Sequence, residues 1–163
     1  MNTPTLVVVC GLPGAGKTTV AEEVADRLDA AMLRTDVVRK ELFSDPDYTD
    51  AEAEAVYDEL FARAADALAD GNVVLDATFR TRGFREGARA TADRAGADFR
   101  LVSVECDDAV ARERIRSRTD DESDADIRVY ELFRDEYEPV ERADLVVDNS
   151  GALPETFAQL DGL

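Results

Sequence analysis

Histidine and tryptophan are absent from this 163-residue chain. Without histidine there is no His-based catalytic triad and no histidine-bound zinc, so any general base must be a carboxylate or a lysine. Cysteine occurs only at Cys10 and Cys106. Their spacing fits no metal site, and both read as small buried thiols at strand ends. Lysine is almost missing: Lys17 and Lys40 stand among nineteen basic residues, and the others are arginine. No apolar run is long enough to cross a membrane, and the N-terminus lacks the basic and apolar regions of a signal peptide. The expected location is therefore cytoplasmic, with no membrane partner. Internal repeats, linkers and low-complexity segments are also missing.

What is abundant is acid. Thirty-seven Asp and Glu face nineteen Lys and Arg, for a net charge of -18. Such a surface repels itself at low ionic strength. Molar salt screens the repulsion, because the Debye length falls to about 3 Å at 1 M. Together with the scarcity of lysine, this composition predicts a halophilic protein of a salt-accumulating, haloarchaeal cell. It also argues against nucleic acid as a partner, since a nucleic-acid channel is basic. The apolar fraction of 45% is that of a folded protein. The length predicts a single domain spanning residues 1–163.

One stretch organises the rest. Residues 6–20 read as a short apolar strand, a glycine-rich loop and the start of a helix. The loop Gly11-Leu12-Pro13-Gly14-Ala15-Gly16-Lys17-Thr18 matches G-x-x-x-x-G-K-[ST], the phosphate cradle called the P-loop or Walker A motif. Its glycines let backbone N–H groups face a phosphate, and the helix behind points its positive end at the same charge. Lys17 is expected on the β- and γ-phosphates and Thr18 on Mg²⁺. Gly11, Pro13, Gly14, Ala15, Gly16, Lys17, Thr18 and Thr19 are the expected nucleotide-binding residues, with ATP and Mg²⁺ as cofactors.

Further strands are predicted at 30–35, 73–76, 99–106 and 145–147, and helices at 17–28, 37–43, 50–69, 83–95, 109–117, 124–138 and the C-terminus. Strands alternating with helices give a parallel, doubly wound sheet. Ligands bind such sheets at the carboxyl ends of the strands. The polar residues there are Arg34, Asp36 and Arg39, then Asp76, Thr78 and Arg80, then Asn149 and Ser150. Asp76 ends an apolar strand, the place of an acid that positions Mg²⁺. Asp36 is a candidate base, or else a helix cap. Arg39, one turn on, is suited to an anionic part of an acceptor, or else to solvent. Thr78 and Arg80 are further acceptor-side candidates.

These residues carry a family resemblance that covers nearly the whole chain. Gly11 to Thr18, Arg34-Thr35-Asp36-Val37-Val38-Arg39-Lys40-Glu41-Leu42, Val73 to Phe79, Arg112 to Arg118 and Ser123 to Asp126 resemble the small P-loop kinases. That group contains gluconate kinase, adenylylsulfate kinase, chloramphenicol phosphotransferase, zeta toxin and polynucleotide kinase. The chain looks most like predicted kinases of the AAA-family ATPase type, some of them fused to aminoglycoside-phosphotransferase-like domains. The resemblance implies a three-layer P-loop NTPase fold with five parallel strands in the order 2-3-1-4-5 and a short arginine-rich lid. It implies that Asp36 contacts the acceptor hydroxyl and that Asp76 contacts metal or acceptor. Lid arginines would close on the phosphates, with Arg118 and Arg114 the catalytic candidates on one helix face. Asn149 falls on an adenine-side loop, or else on a plain turn.

The functional expectation is an ATP-dependent kinase that transfers the γ-phosphate to a hydroxyl of a small molecule. The alternatives are a polynucleotide 5′-hydroxyl kinase and a non-catalytic nucleotide-binding regulator. A GTPase switch is not expected, because N-K-x-D is missing. The sequence names neither the acceptor nor the oligomeric state.

Overall fold

The computed structural model describes residues 3–47, 49–118 and 123–163, with side chains for all of these except 118 and 123–126. The sheet has five parallel strands in the order β2-β3-β1-β4-β5. The strands are β1 (Thr5–Cys10), β2 (Ala31–Arg34), β3 (Val73–Asp76), β4 (Asp98–Glu105) and β5 (Leu145–Asp148). The helices are α1 (Lys17–Leu28), α2 (Thr35–Leu42), α3 (Asp50–Leu68), α4 (Arg82–Ala95), α5 (Asp108–Arg118), α6 (Ser123–Glu136) and α7 (Leu153–Ala158), and a 3₁₀ turn at Gln159–Gly162 closes the chain.

The three layers follow from the strand period of two. Along β1, Leu6, Val8 and Cys10 face α3 and α4, while Val7 and Val9 face α1 and the C-terminal turn. All five are fully buried. Each Val or Leu taken fully out of water contributes about 1.5–3 kcal/mol. A continuous apolar run is therefore what this central strand requires. Central β3 is likewise buried along its length, whereas edge strand β5 alternates. A smaller cluster of Ala111, Ile115 and Tyr130 packs α5 on α6 and touches Leu12 of the P-loop.

Two helix starts differ from expectation. The second strand ends at Arg34, whose extended backbone (φ -130°, ψ 136°) makes it the residue that precedes α2. Helix α2 therefore begins at Thr35, and Asp36 lies in its first turn rather than at the cap. An acid there still meets the positive end of the helix dipole. Helix α5 begins at Asp108, one residue before the predicted start, and the Asp108 carboxylate accepts from Arg112, Tyr130 and Arg134. Thr49 and Thr81 are side-chain caps, accepting from the N–H groups of Glu52 and Phe84. Among the described residues, no helix is long and apolar enough to cross a membrane.

Candidate active site

The P-loop is held open from outside. Gly14 and Gly16 both have φ of 83°, a left-handed conformation that favours glycine. A Cβ at Gly11 would stand 2.6 Å from the Val104 carbonyl oxygen, and one at Gly16 would stand 2.2 Å from Asn149 Nδ2. The loop is thus wedged between β4 and the residue after β5. Asn149 Nδ2 donates to the Ala15 carbonyl at 2.8 Å, and Thr156 Oγ1 donates to Asn149 Oδ1 at 2.7 Å. The guanidinium of Arg114 donates to the carbonyls of Gly14 and Ala15 at 3.3 Å each and to that of Asn149 at 2.5 Å. With the Ala15 carbonyl fixed outward, the trans peptide turns the Gly16 N–H the other way, into the loop. No side chain caps α1. Its first-turn N–H groups are left to an anion. Lys17 opens α1 at this point, and Pro13 and Thr19 are half-buried flanks of the loop.

Asn149 and Arg114 therefore brace the loop. Asn149, expected on an adenine-side loop or a plain turn, follows β5, and its buried side chain bonds the P-loop. Arg114 was expected to reach the nucleotide from a lid, and its guanidinium lies against the loop's backbone. The side chain of Arg118 lies outside the described residues, as does the loop at 119–122.

The second half of the site is assembled by the sheet. Asp76 ends β3, next to β1, and is 4% exposed. Thr18 Oγ1 donates to Asp76 Oδ2 at 2.7 Å across 58 residues of sequence. The other oxygen, Asp76 Oδ1, is buried without a hydrogen-bond partner. A buried carboxylate oxygen left bare is costly. A hydroxyl and a carboxylate side by side form the oxygen donor set a hard divalent cation takes. The residues present thus fit Mg²⁺, which Thr18 and Asp76 would hold. Arg34, paired with Asp76 across β2 and β3, brings its Nε to 3.2 Å from Asp76 Oδ2 and its Nη2 to 3.6 Å from Asp36 Oδ2.

Asp36, Arg39, Thr78, Arg80 and the rings of Phe84 and Phe133 line a crevice of about 100 Å³ beside this pair. Four of the sequence candidates are thus brought together. Asp36 is exposed and pairs with Arg34. Arg39 Nη1 lies 2.6 Å from Glu52 Oε1, and Glu52 Oε2 accepts from the Asp47 N–H at 2.8 Å. Buried Glu52 thereby fixes both α2 and the turn that precedes α3. Arg80 pairs with Glu136 at 3.0 Å and Asp50 at 3.5 Å, and sits over the Phe133 ring. Thr78 serves through its carbonyl, which accepts from Gly11 N–H at 3.4 Å and from Tyr137 Oη at 3.1 Å. A groove of about 980 Å³ between α3 and α4 adjoins the crevice, with Ala53, Tyr57, Arg80 and Phe84 lining both.

Three residues that shape the crevice were not among the candidates from the sequence. Phe79 is a buried non-glycine residue with φ of 47°, so it turns the chain sharply after β3. Its N–H donates to Tyr57 Oη at 3.0 Å, and burial pushes the Tyr57 hydroxyl pKa up to about 12. Arg85 is 6% exposed. It donates to the carbonyls of Phe79 (2.9 Å), Arg80 (3.2 Å), Pro139 (3.1 Å) and Glu138. One guanidinium thus ties the turn after β3 to the segment after α6. An arginine within a polar helix gives no hint of that.

A phosphate cradle on β1, a hydroxyl–carboxylate pair and an adjoining crevice, on a sheet ordered 2-3-1-4-5, define a P-loop NTPase fold of the kinase type. Solved structures agree. A gluconokinase from Sinorhizobium meliloti 1021 superposes with a TM-score of 0.74 at 22% identity, covering 98% of this chain and 90% of that one. The APS kinase CysC of Mycobacterium tuberculosis, in complex with AMPPNP and APS, gives a TM-score of 0.77 at 22% identity, covering 99% of each chain. A sugar kinase from Janibacter sp. HTCC2649 gives 0.72 at 18% identity, covering 98% and 92%. These likenesses are of fold.

The family model described as "AAA domain" matches residues 6–140, and the chain belongs to that family. Uncharacterized proteins of Mycobacterium tuberculosis and Mycobacterium bovis are 33% identical over 135 residues. The match takes in 74% of this chain but only 27% of each of those relatives.

Proposed function

We propose that this chain is an ATP-dependent, Mg²⁺-requiring phosphotransferase that moves the γ-phosphate of ATP to a hydroxyl of a small molecule. The observation that carries the reading is the meeting of Thr18 with Asp76, whose second oxygen is buried and bare. Membership of the AAA-domain family and the fold shared with kinases support it.

The P-loop N–H groups and Lys17 hold the β- and γ-phosphates, and the Arg114–Asn149 brace fixes the loop so that no reorganisation is needed on binding. Mg²⁺, when bound at Thr18 and Asp76, supplies charge neutralisation for the phosphates. Asp36 lines the crevice beside Arg34, and its carboxylate orients the acceptor hydroxyl and takes its proton. Arg80 and Arg39 border the same crevice, and their guanidinium groups bind polar groups of the acceptor. The groove between α3 and α4 gives room for a body larger than the hydroxyl-bearing end. The acidic surface favours a small molecule over a nucleic acid.

The test is transfer of labelled γ-phosphate from ATP, with Mg²⁺ and molar KCl, to a soluble metabolite extract and to a 5′-hydroxyl oligonucleotide in parallel. Label is expected on a metabolite and not on the oligonucleotide. Asp36→Asn should reduce transfer about a hundredfold while leaving ATP bound. Label on the oligonucleotide would make the chain a polynucleotide kinase. ATP bound and intact, with an extract shown to contain many phosphorylatable alcohols, would make it a regulator.

A further inference from the structure

One cation in the site belongs to neither the phosphate cradle nor the crevice wall. Arg34 ends β2 opposite Asp76 in the parallel register, so the sheet itself sets the two side by side. Its guanidinium lies between two carboxylates, Asp76 at 3.2 Å and Asp36 at 3.6 Å. The two acids differ greatly in exposure, with side chains 3% and 75% accessible. Arg34 Nε is buried and, despite its closeness to Asp76, makes no hydrogen bond. The contact is thus one of charge without the directed N–H···O geometry that makes such pairs strong. Asp76 Oδ1 beside it is also bare. A nearly buried carboxylate must be neutralised by something. Arg34 is a cation that the sheet itself places beside it.

We infer that Arg34 is the resident counter-charge that a divalent cation has to displace from Asp76, a positioning residue that weakens metal binding. The inference rests on the reading of Thr18 and Asp76 as the Mg²⁺ holders. A guanidinium and a divalent cation near one carboxylate repel each other, and at such range inside a protein this outweighs solvent screening. Only a loosely bonded arginine can yield the carboxylate. The missing hydrogen bond at Nε provides that looseness. Asp36, 3.6 Å away, is the partner left to it. Asp36 is also the acid proposed to orient the acceptor, so occupancy of the metal site would set the charge balance at the crevice. The consequence is a directional one. Deleting the charge of a residue in the active site should tighten a ligand rather than weaken it.

The experiment is a Mn²⁺ titration of the full chain, with and without saturating AMPPNP, followed by water-proton relaxation at fixed KCl. Arg34→Gln is expected to bind Mn²⁺ about tenfold more tightly than the wild type. Arg34→Lys keeps the charge and should stay within about twofold of the wild type. Circular dichroism and AMPPNP binding in EDTA verify that each variant is folded with an intact P-loop. A folded Arg34→Gln that binds Mn²⁺ as the wild type does, or more weakly, overturns the inference while leaving the metal site in place. A wild-type protein that takes up no Mn²⁺ with AMPPNP overturns both the inference and the assignment of Thr18 and Asp76. Tightening in Arg34→Lys equal to that in Arg34→Gln also overturns it, because packing rather than charge would then be the cause.

Discussion

At the scale of single residues, Asn149 shows how a phosphate site depends on a side chain that touches no phosphate. It is 2% exposed, gives one amide hydrogen to Ala15 and accepts from Thr156. Asn149→Asp keeps the volume but cannot donate to the carbonyl. The change leaves a buried acceptor bare at a cost of about 2 kcal/mol, and adds a negative charge beside the phosphate cradle. The expected outcome is a lower denaturation midpoint together with weaker ATP binding, measured by urea unfolding and calorimetry. Loss of stability with unchanged ATP affinity would separate Asn149 from the geometry of the loop. The P-loop was legible because its constraint is local: glycines, lysine and threonine within eight residues. The brace was not, because it joins residues 15, 114, 149 and 156, and no spacing rule relates them. The pairing of Thr18 with Asp76 was half legible. Each residue was a metal candidate alone, and only the β1–β3 register set them 2.7 Å apart.

At the scale of elements, α5 and α6 are joined by a small apolar cluster and by the groups gathered around Asp108. Asp108 accepts from Arg112 at 2.8 Å, from Tyr130 at 2.8 Å and from Arg134 at 3.0 Å. Hydrogen bonds from Arg112 and Tyr130 hold the Asp108 carboxyl down at about pKa 2. Its folded-state pKa is below its unfolded one, so its contribution is present above about pH 4 and is lost as pH falls towards 2. Hydrogen exchange in α6 should therefore quicken between pH 4 and pH 2, after correction for intrinsic rates. Asp108→Asn should show quick exchange already at neutral pH. An α6 protected equally in both proteins would mean that Ile115 and Tyr130 suffice. Helix positions themselves were readable from apolar stripes, although α6 ends at Glu136 rather than at the expected 138. Helix starts were less so. An acid such as Asp36 suits a cap and a first turn equally well, and the extended backbone of Arg34 puts it in the first turn.

At the scale of the molecule, a net charge of -18 on 163 residues sets the conditions in which the fold is stable. The described ion pairs are mostly exposed, and exposed pairs contribute little each. Repulsion among unpaired acids is then the larger electrostatic effect. Raising KCl from 0.1 M to 1 M shortens the Debye length from about 10 Å to about 3 Å. The midpoint of thermal unfolding should rise over that range by several degrees, which corresponds to about 1–2 kcal/mol. A midpoint that falls with KCl would show attractive pairs dominating and would count against the halophilic reading.

The sequence by itself determined the sheet and the cradle. Both rest on local rules, a strand period of two, a helix period near four and glycines where the backbone must turn, and these act between near neighbours in the chain. Tertiary structure alone decided which charges meet. The parallel register aligned Arg34 with Asp76, the turn at Phe79 placed Arg80 over Phe133, and Arg85 found four carbonyls from two distant segments. Charge acts through space rather than along the chain, so arginines that look alike in sequence became a loop brace at 114, a clamp at 85 and a counter-charge at 34 according to what the fold set beside them.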